Sequence, residues 1–119
     1  MQNYLVLGAS PNRLRHSNKA VKSLIRHNKE VIPIGFRKGV ISGVEIQTGQ
    51  PSIESVETVL LYLGPQRQPD FYDYILSLKP QRIVFNPGTE NNEFQLMAEK
   101  QGIEVVIGCA LVMINGNQL

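Results

Sequence analysis

Apolar positions in this chain follow two rhythms, and the rhythms alternate. Tyr4-Leu5-Val6-Leu7 is an unbroken apolar run, as expected of a strand buried on both faces. Gly8-Ala9-Ser10-Pro11-Asn12 interrupts it and reads as a tight turn. From about Ser17 to His27 the period changes. Ala20, Val21, Leu24 and Ile25 make one apolar stripe at helical spacing, with Lys19, Lys22 and Arg26 on the other face. Ser17 is the expected N-cap and Asn28 the expected left-handed stop. Val31-Ile32-Pro33-Ile34 is a second, short strand. Pro33 has no N–H to donate and belongs at its end or in a slot that no ladder bond needs.

The stretch from Gly35 to Ser55 is the least regular, punctuated by Gly35, Gly39, Gly43 and Gly49. Inside it Val44-Glu45-Ile46 reads as a short edge strand, and Pro51-Ser52-Ile53-Glu54 as a turn or a single helical turn. Val56 to Leu63 is a third long buried strand, ended by Gly64-Pro65. Pro69 to Leu78 is a second helix with Phe71, Tyr72, Ile75 and Leu76 on one face; Pro69 suits its first position and Asp70 its dipole. Arg82 to Phe85 is the next strand, followed by Asn86-Pro87-Gly88-Thr89. A third helix covers about Glu90 to Gln101, with Thr89 as its cap and Gly102 as its stop. Ile103 to Ile107 is a last strand. Cys109 to Ile114 fits a strand and a helix equally, and Asn115 to Leu119 is a polar end.

Buried strands alternating with amphipathic helices predict the α/β class: a single Rossmann-like three-layer domain, residues 1–119, with a mainly parallel sheet of about five strands. Ligands of such sheets sit at the carboxyl ends of the strands, where strand order reverses. Here that point is expected between the first strand and the strand ending at Leu63.

Composition narrows the classes further. A chain of 119 residues with 42% hydrophobic and 18% charged residues is an ordinary globular domain. Its net charge of +2 is too small to argue for nucleic acid or a membrane surface. The single cysteine, Cys109, excludes an intrachain disulfide and any cysteine-rich metal site. No apolar run approaches the roughly 20 residues of a membrane span. Polar Gln2 and Asn3 lead straight into the first strand without a leader pattern, so a cytoplasmic protein is expected.

The first turn places small residues and backbone amides before a helix N-terminus, a geometry suited to phosphate. NAD is disfavoured, because the G-x-G-x-x-G fingerprint is absent: Gly8 is followed by Ala9-Ser10-Pro11-Asn12-Arg13. The second strand also ends in Gly35-Phe36-Arg37-Lys38 rather than in an acid that would hold a ribose hydroxyl. Basic groups there suit an extra ribose phosphate, which NADP and coenzyme A both carry. Arg13 and Arg15 after the first strand, with Arg37 and Lys38 after the second, converge if the strands are neighbours. The bland alternative is solvated surface charge. Gly64, Gln66, Asn86, Pro87, Gly88 and Thr89 complete the groove, with Gly permitting close approach and Asn86, Gln66 and Thr89 offering hydrogen bonds. Their alternative role is turn and cap chemistry.

With these residues in view, the chain resembles the small stand-alone CoA-binding domain proteins, and through them the N-terminal CoA domain of succinyl-CoA synthetase α subunits. The resemblance rests on Val6-Leu7-Gly8-Ala9-Ser10-Pro11-Asn12, Val31-Ile32-Pro33-Ile34, Asn86-Pro87-Gly88-Thr89-Glu90-Asn91, and Ile103-Glu104-Val105-Val106 followed by Cys109. It implies coenzyme A or an acyl-CoA as ligand, with the nucleotide over Gly8 to Arg13, Ser10 and neighbouring amides facing the phosphates, and the loop after Ile34 flanking the adenosine end. Gly35-Phe36 stands where the family usually has Asn-Pro, while Arg37 keeps the basic charge.

Catalytic machinery is not evident. His16 and His27 are the only histidines, and neither G-x-S-x-G nor H-E-x-x-H occurs. Cys109 reads as a structural thiol or as a partner for the CoA thiol in a mixed disulfide. The expected function is therefore ligand binding without catalysis. The competing expectations are an NADP-binding oxidoreductase-like domain and a protein-interaction module with no nucleotide ligand.

Overall fold

The computed structural model describes residues 2–119. Five strands form one sheet, and every pairing in it is parallel. β1 (Asn3–Leu7) is followed by α1 (His16–Arg26) and β2 (Glu30–Ile34). β3 (Val40–Ile41) and β4 (Val44–Glu45) then make a small antiparallel hairpin of their own. β5 (Val56–Leu61) returns to the sheet. A 3-10 turn, Pro69–Phe71, opens into α2 (Tyr72–Ser77), and β6 (Arg82–Phe85), α3 (Asn92–Lys100), β7 (Glu104–Ile107) and α4 (Ala110–Asn115) complete the chain.

The sheet order is β2-β1-β5-β6-β7. From β1 the chain steps one way to β2, then crosses over to β5 and continues the other way. The reversal lies between β1 and β5, where the sequence pattern puts it. Alternate residues of each strand feed opposite layers. Leu5, Leu7, Val59, Leu61, Ile83 and Phe85 pack with Tyr72, Ile75, Phe94 and Ala98 of α2 and α3. Tyr4, Val6, Leu60 and Val84 pack with Val21, Leu24, Ala110 and Ile114 of α1 and α4. Burial on both faces is what a continuous apolar strand requires.

Several local expectations are corrected. Ser17 is not the cap of α1: Arg15 occupies that position without a side-chain cap bond, and Ser17 is buried inside the first turn. Asn12 sets the start, since its side chain accepts from Leu14 N and its carbonyl from Arg15 N. Thr89 does not cap α3 either. Asn91 does, accepting from Phe94 N at 3.2 Å. Val44-Glu45 pairs with Val40-Ile41 rather than with the main sheet, and no helical turn forms at Pro51–Glu54. Cys109 to Ile114 resolves as the start of α4. Asn28 does adopt a left-handed conformation, φ 60°. Pro33 lies within edge strand β2, and its carbonyl accepts from Gln47 N on the side away from β1, so its missing N–H interrupts no pairing.

Candidate functional site

The loops after β1, β2, β5 and β6 meet at the carboxyl edge of the sheet. The first two are pinned together by backbone. Gly8 N and Ala9 N both donate to Ile34 O, at 2.8 and 2.9 Å. Gly8 has φ +102°, a turn that a side chain would strain, and a Cβ there would also lie 2.9 Å from the Tyr62 carbonyl carbon. A Cβ on Gly35 would run into Ala9 O. Pro11 in turn packs over Gly39. Small residues at these positions therefore let three chain segments close on one another.

That closure leaves a cavity of about 150 Å³ at the reversal point, lined by Leu7, Gly8, Ile34, Gly35, Phe36, Thr48, Gly49, Leu63 and Phe71. The cavity is mainly apolar and opens to solvent beside Phe36, which is 55% exposed. Phe36 stands at its mouth, edge-on to Phe71 with centroids 6.2 Å apart. Arg67 lies over the Phe36 ring at 4.7 Å, a cation–π contact that positions a largely exposed aromatic. Thr48 is shared with a more open groove of about 400 Å³ lined by Lys38, Gly39, Val40, Glu45, Ile46 and Gln47.

The β1–α1 loop offers donors beside this cavity. Ser10 Oγ accepts from Asn12 N, leaving its own proton free. The first helical bond of α1 runs from Lys19 N to Arg15 O, so the amides of His16, Ser17 and Asn18 come before it, and the first turn carries no acid. Arg82–Glu57 is the one side-chain ion pair among the described residues. Arg13, Arg15, Arg37 and Lys38 are exposed and have no carboxylate partner. The loops bring Arg13 and Arg15 to the same edge of the molecule as Arg37 and Lys38.

The β5 and β6 loops contribute differently from expectation. Asn86 is 2% exposed, and its side chain is spent inside the fold: Nδ2 donates to Leu61 O at 3.0 Å and Oδ1 accepts from Ala110 N at 2.8 Å. Thr89 Oγ1 donates to Asn86 O at 2.8 Å and is buried too. These two side chains build the wall. Gln66, Pro87 and Gly88 are exposed, and Gly64 partly so.

Gln68 was invisible in the sequence pattern. It is fully buried; Nε2 donates to Leu63 O at 2.9 Å and Thr89 O at 2.7 Å, and Oε1 accepts from Asn91 Nδ2 at 2.8 Å. One glutamine thus ties the β5 loop to the β6 loop. Phe36 and Phe71 also line the site, although no turn or cap pattern marks them. The cue was present: an aromatic between Gly35 and Arg37 at the end of a strand is hard to bury.

Cys109 is a half-buried free thiol before α4. Tyr62 lies near it. Burial, and secondarily the Cys109 sulfur, push the Tyr62 hydroxyl well above its ordinary pKa. Tyr62 Oη and Asn18 Oδ1 are buried without a hydrogen-bond partner in the protein. Among the described residues no group of three or more acidic, histidine or cysteine side chains could hold a metal ion. Among the described residues no helix is long and apolar enough to cross a membrane.

Residues 2–115 match the family described as CoA binding domain. The chain is similar to an uncharacterized protein of known crystal structure, with 47% identity, a TM-score of 0.96, and coverage of 100% of this chain and 98% of that one. A protein from Thermus thermophilus superposes with a TM-score of 0.86 at 21% identity, over 99% of this chain and 90% of its own. A hypothetical protein from Pyrococcus horikoshii OT3 does so with a TM-score of 0.84 at 20% identity, over 97% and 82%. At that identity the last two show the fold alone. No curated protein matches the sequence.

Proposed function

Starting from a chain that belongs to the CoA binding domain family, we propose that it binds coenzyme A or an acyl-CoA through the loops at the carboxyl ends of β1, β2, β5 and β6, with no catalysis of its own. The observation that supports this reading is the apolar cavity at the strand-order reversal, lined by the ends of β1 and β2, the two strands whose following loops carry the exposed Arg13, Arg15, Arg37 and Lys38. The cavity and the Phe36 ring take the adenine. The amides after Ala9, the Ser10 hydroxyl, Asn12 and the uncapped first turn of α1 face the pyrophosphate, favoured by the helix dipole. Arg37 grips the ribose phosphate, with Lys38 beside it, and Arg13 and Arg15 balance the remaining charge. Gly35 keeps the cavity open. Gly64, Gln66, Pro87 and Gly88 line the path of the pantetheine arm, and Asn86 and Thr89 hold that path in shape.

The test is calorimetric titration of wild type and Arg37→Ala with CoA and with 3′-dephospho-CoA. A charge-assisted contact to the phosphate predicts that wild type loses about tenfold or more in affinity when the phosphate is removed. Arg37→Ala should bind both ligands alike, at the weaker level. Equal affinity of wild type for both ligands would remove Arg37 from this role. Absence of binding to either would overturn the reading.

A further inference from the structure

The two edges of the sheet are treated differently. On β2, Pro33 replaces an outward donor, and Gln47 covers the outward side by donating to Pro33 O and bridging Ile34. These are the devices that keep an edge from pairing. The β7 edge has neither the proline nor the covering segment: Glu104-Val105-Val106-Ile107 carries one charge, Glu104, at its start, and no further strand follows it in the sheet. Ile107 is 52% exposed, and Val105 and Val106 are half-buried.

The direction of the unpaired groups follows from the ladder. Glu104 N donates to Gln81 O and Gly108 N to Phe85 O, both toward the β6 side. Backbone groups alternate along a strand, so those of Val105 and Ile107 point out of the sheet. This short row is self-complementary under a two-fold axis. Laid antiparallel, Val105 of one copy faces Ile107 of the other, and each facing pair exchanges two hydrogen bonds. Val106 then meets its own counterpart on the axis as a non-hydrogen-bonded pair. Glu104 falls opposite Gly108, so the one charge on the edge meets no like charge.

We infer that β7 is the seam of a symmetric dimer of this chain, joining two five-stranded sheets into one continuous sheet. The partner is a second copy, because the outward row fits itself in one register without leaving a donor or acceptor unpaired, and two-fold dimers are the commonest closed assembly. Antiparallel pairing sends the carboxyl edges of the two sheets in opposite directions. The two candidate ligand sites then lie at opposite ends of the dimer and act independently.

Sedimentation equilibrium from micromolar to millimolar protein tests this. The weight-average mass should rise from 13.3 kDa toward twice that value with concentration. Ile107→Lys, whose charge sits on the exposed edge, should stay at the monomer mass with an unchanged circular dichroism spectrum. In a Cys109→Ser background, Val106→Cys should oxidise to a covalent dimer, since a non-hydrogen-bonded antiparallel pair brings Cα atoms within disulfide range. Glu104→Cys should not. A wild-type mass that stays at one chain throughout would overturn the inference. So would a dimer that survives Ile107→Lys, or crosslinking of Glu104→Cys in preference to Val106→Cys.

Discussion

Gln68→Leu removes the clamp between two site loops while nearly preserving volume. Gln68 has no exposed surface, and its amide nitrogen serves Leu63 O and Thr89 O at once. Leucine supplies neither bond, so two buried carbonyls lose this donor, at about 1–3 kcal/mol each. Asn91 Nδ2 is affected less, because it retains the Tyr72 hydroxyl as a partner. The better burial of leucine offsets part of the loss. The expected net cost is about 3 kcal/mol, or a fall in Tm of roughly 10 °C for a domain of this size. Urea unfolding followed by far-ultraviolet circular dichroism reads it directly. Gln68→Glu sharpens the reasoning. Its carboxyl would face two carbonyl oxygens in a fully buried place and must keep its proton to remain there. Its folded pKa then lies above the unfolded value near 4.3. Below about pH 4 both states are protonated and the deficit is smallest. As pH rises, the unfolded chain ionises first and stability falls by about 1.4 kcal/mol per unit until the folded pKa is reached. A Gln68→Leu cost below about 1 kcal/mol, or a pH-independent Gln68→Glu deficit, would refute the clamp.

Two further outcomes follow from the same contacts. Gly35→Ala drives a Cβ into Ala9 O, a backbone atom that cannot swing away, and should cost about 1–3 kcal/mol by urea unfolding and weaken CoA binding; Gly108→Ala, with nothing within 4 Å, serves as the control and should be close to neutral. Burial is the leading cause that raises the pKa of all four tyrosines, Tyr62 most. Since the folded state holds these protons more tightly, the tyrosines contribute a loss of stability as pH rises through about 10, and Tyr62 should keep its proton while the fold persists; ionisation of Tyr62 at its ordinary pH in the folded protein would contradict this.

Period and punctuation carried most of the architecture. Tyr4–Leu7 and Ile83–Phe85 are apolar on both faces, so their strand character needs no tertiary information, and the helical stripe at Ala20, Val21, Leu24 and Ile25 is equally local. The parallel sheet and its reversal point follow from the alternation. What failed depended on contacts between distant segments. Ser17 has the chemistry of a cap, but the Asn12 turn starts α1 earlier and carries Ser17 into the interior. Thr89 yields to Asn91 because its hydroxyl is held by Asn86 O. Cys109 to Ile114 is apolar in both periods, and packing against α1, including Ser23 Oγ to Asn115 Oδ1 at 2.7 Å, settles it as a helix. At the site, the loops were readable as turns after strands, but division of labour within them was not. Asn86 and Thr89 look like ligand donors until their partners in the fold are seen. Gln68 looks like a surface residue until Leu63, Thr89 and Asn91 close around it.

The most direct test of the central claim is an amide chemical-shift titration of nitrogen-15-labelled protein with CoA. Saturable shifts should concentrate at Ala9 to Asn18, Gly35 to Lys38, Thr48-Gly49 and Gly64, while the amides of Lys79, Gln81 and Asn3 at the opposite edge stay still. No shifts at millimolar CoA, or shifts confined to residues away from the carboxyl edge of the sheet, would contradict the account.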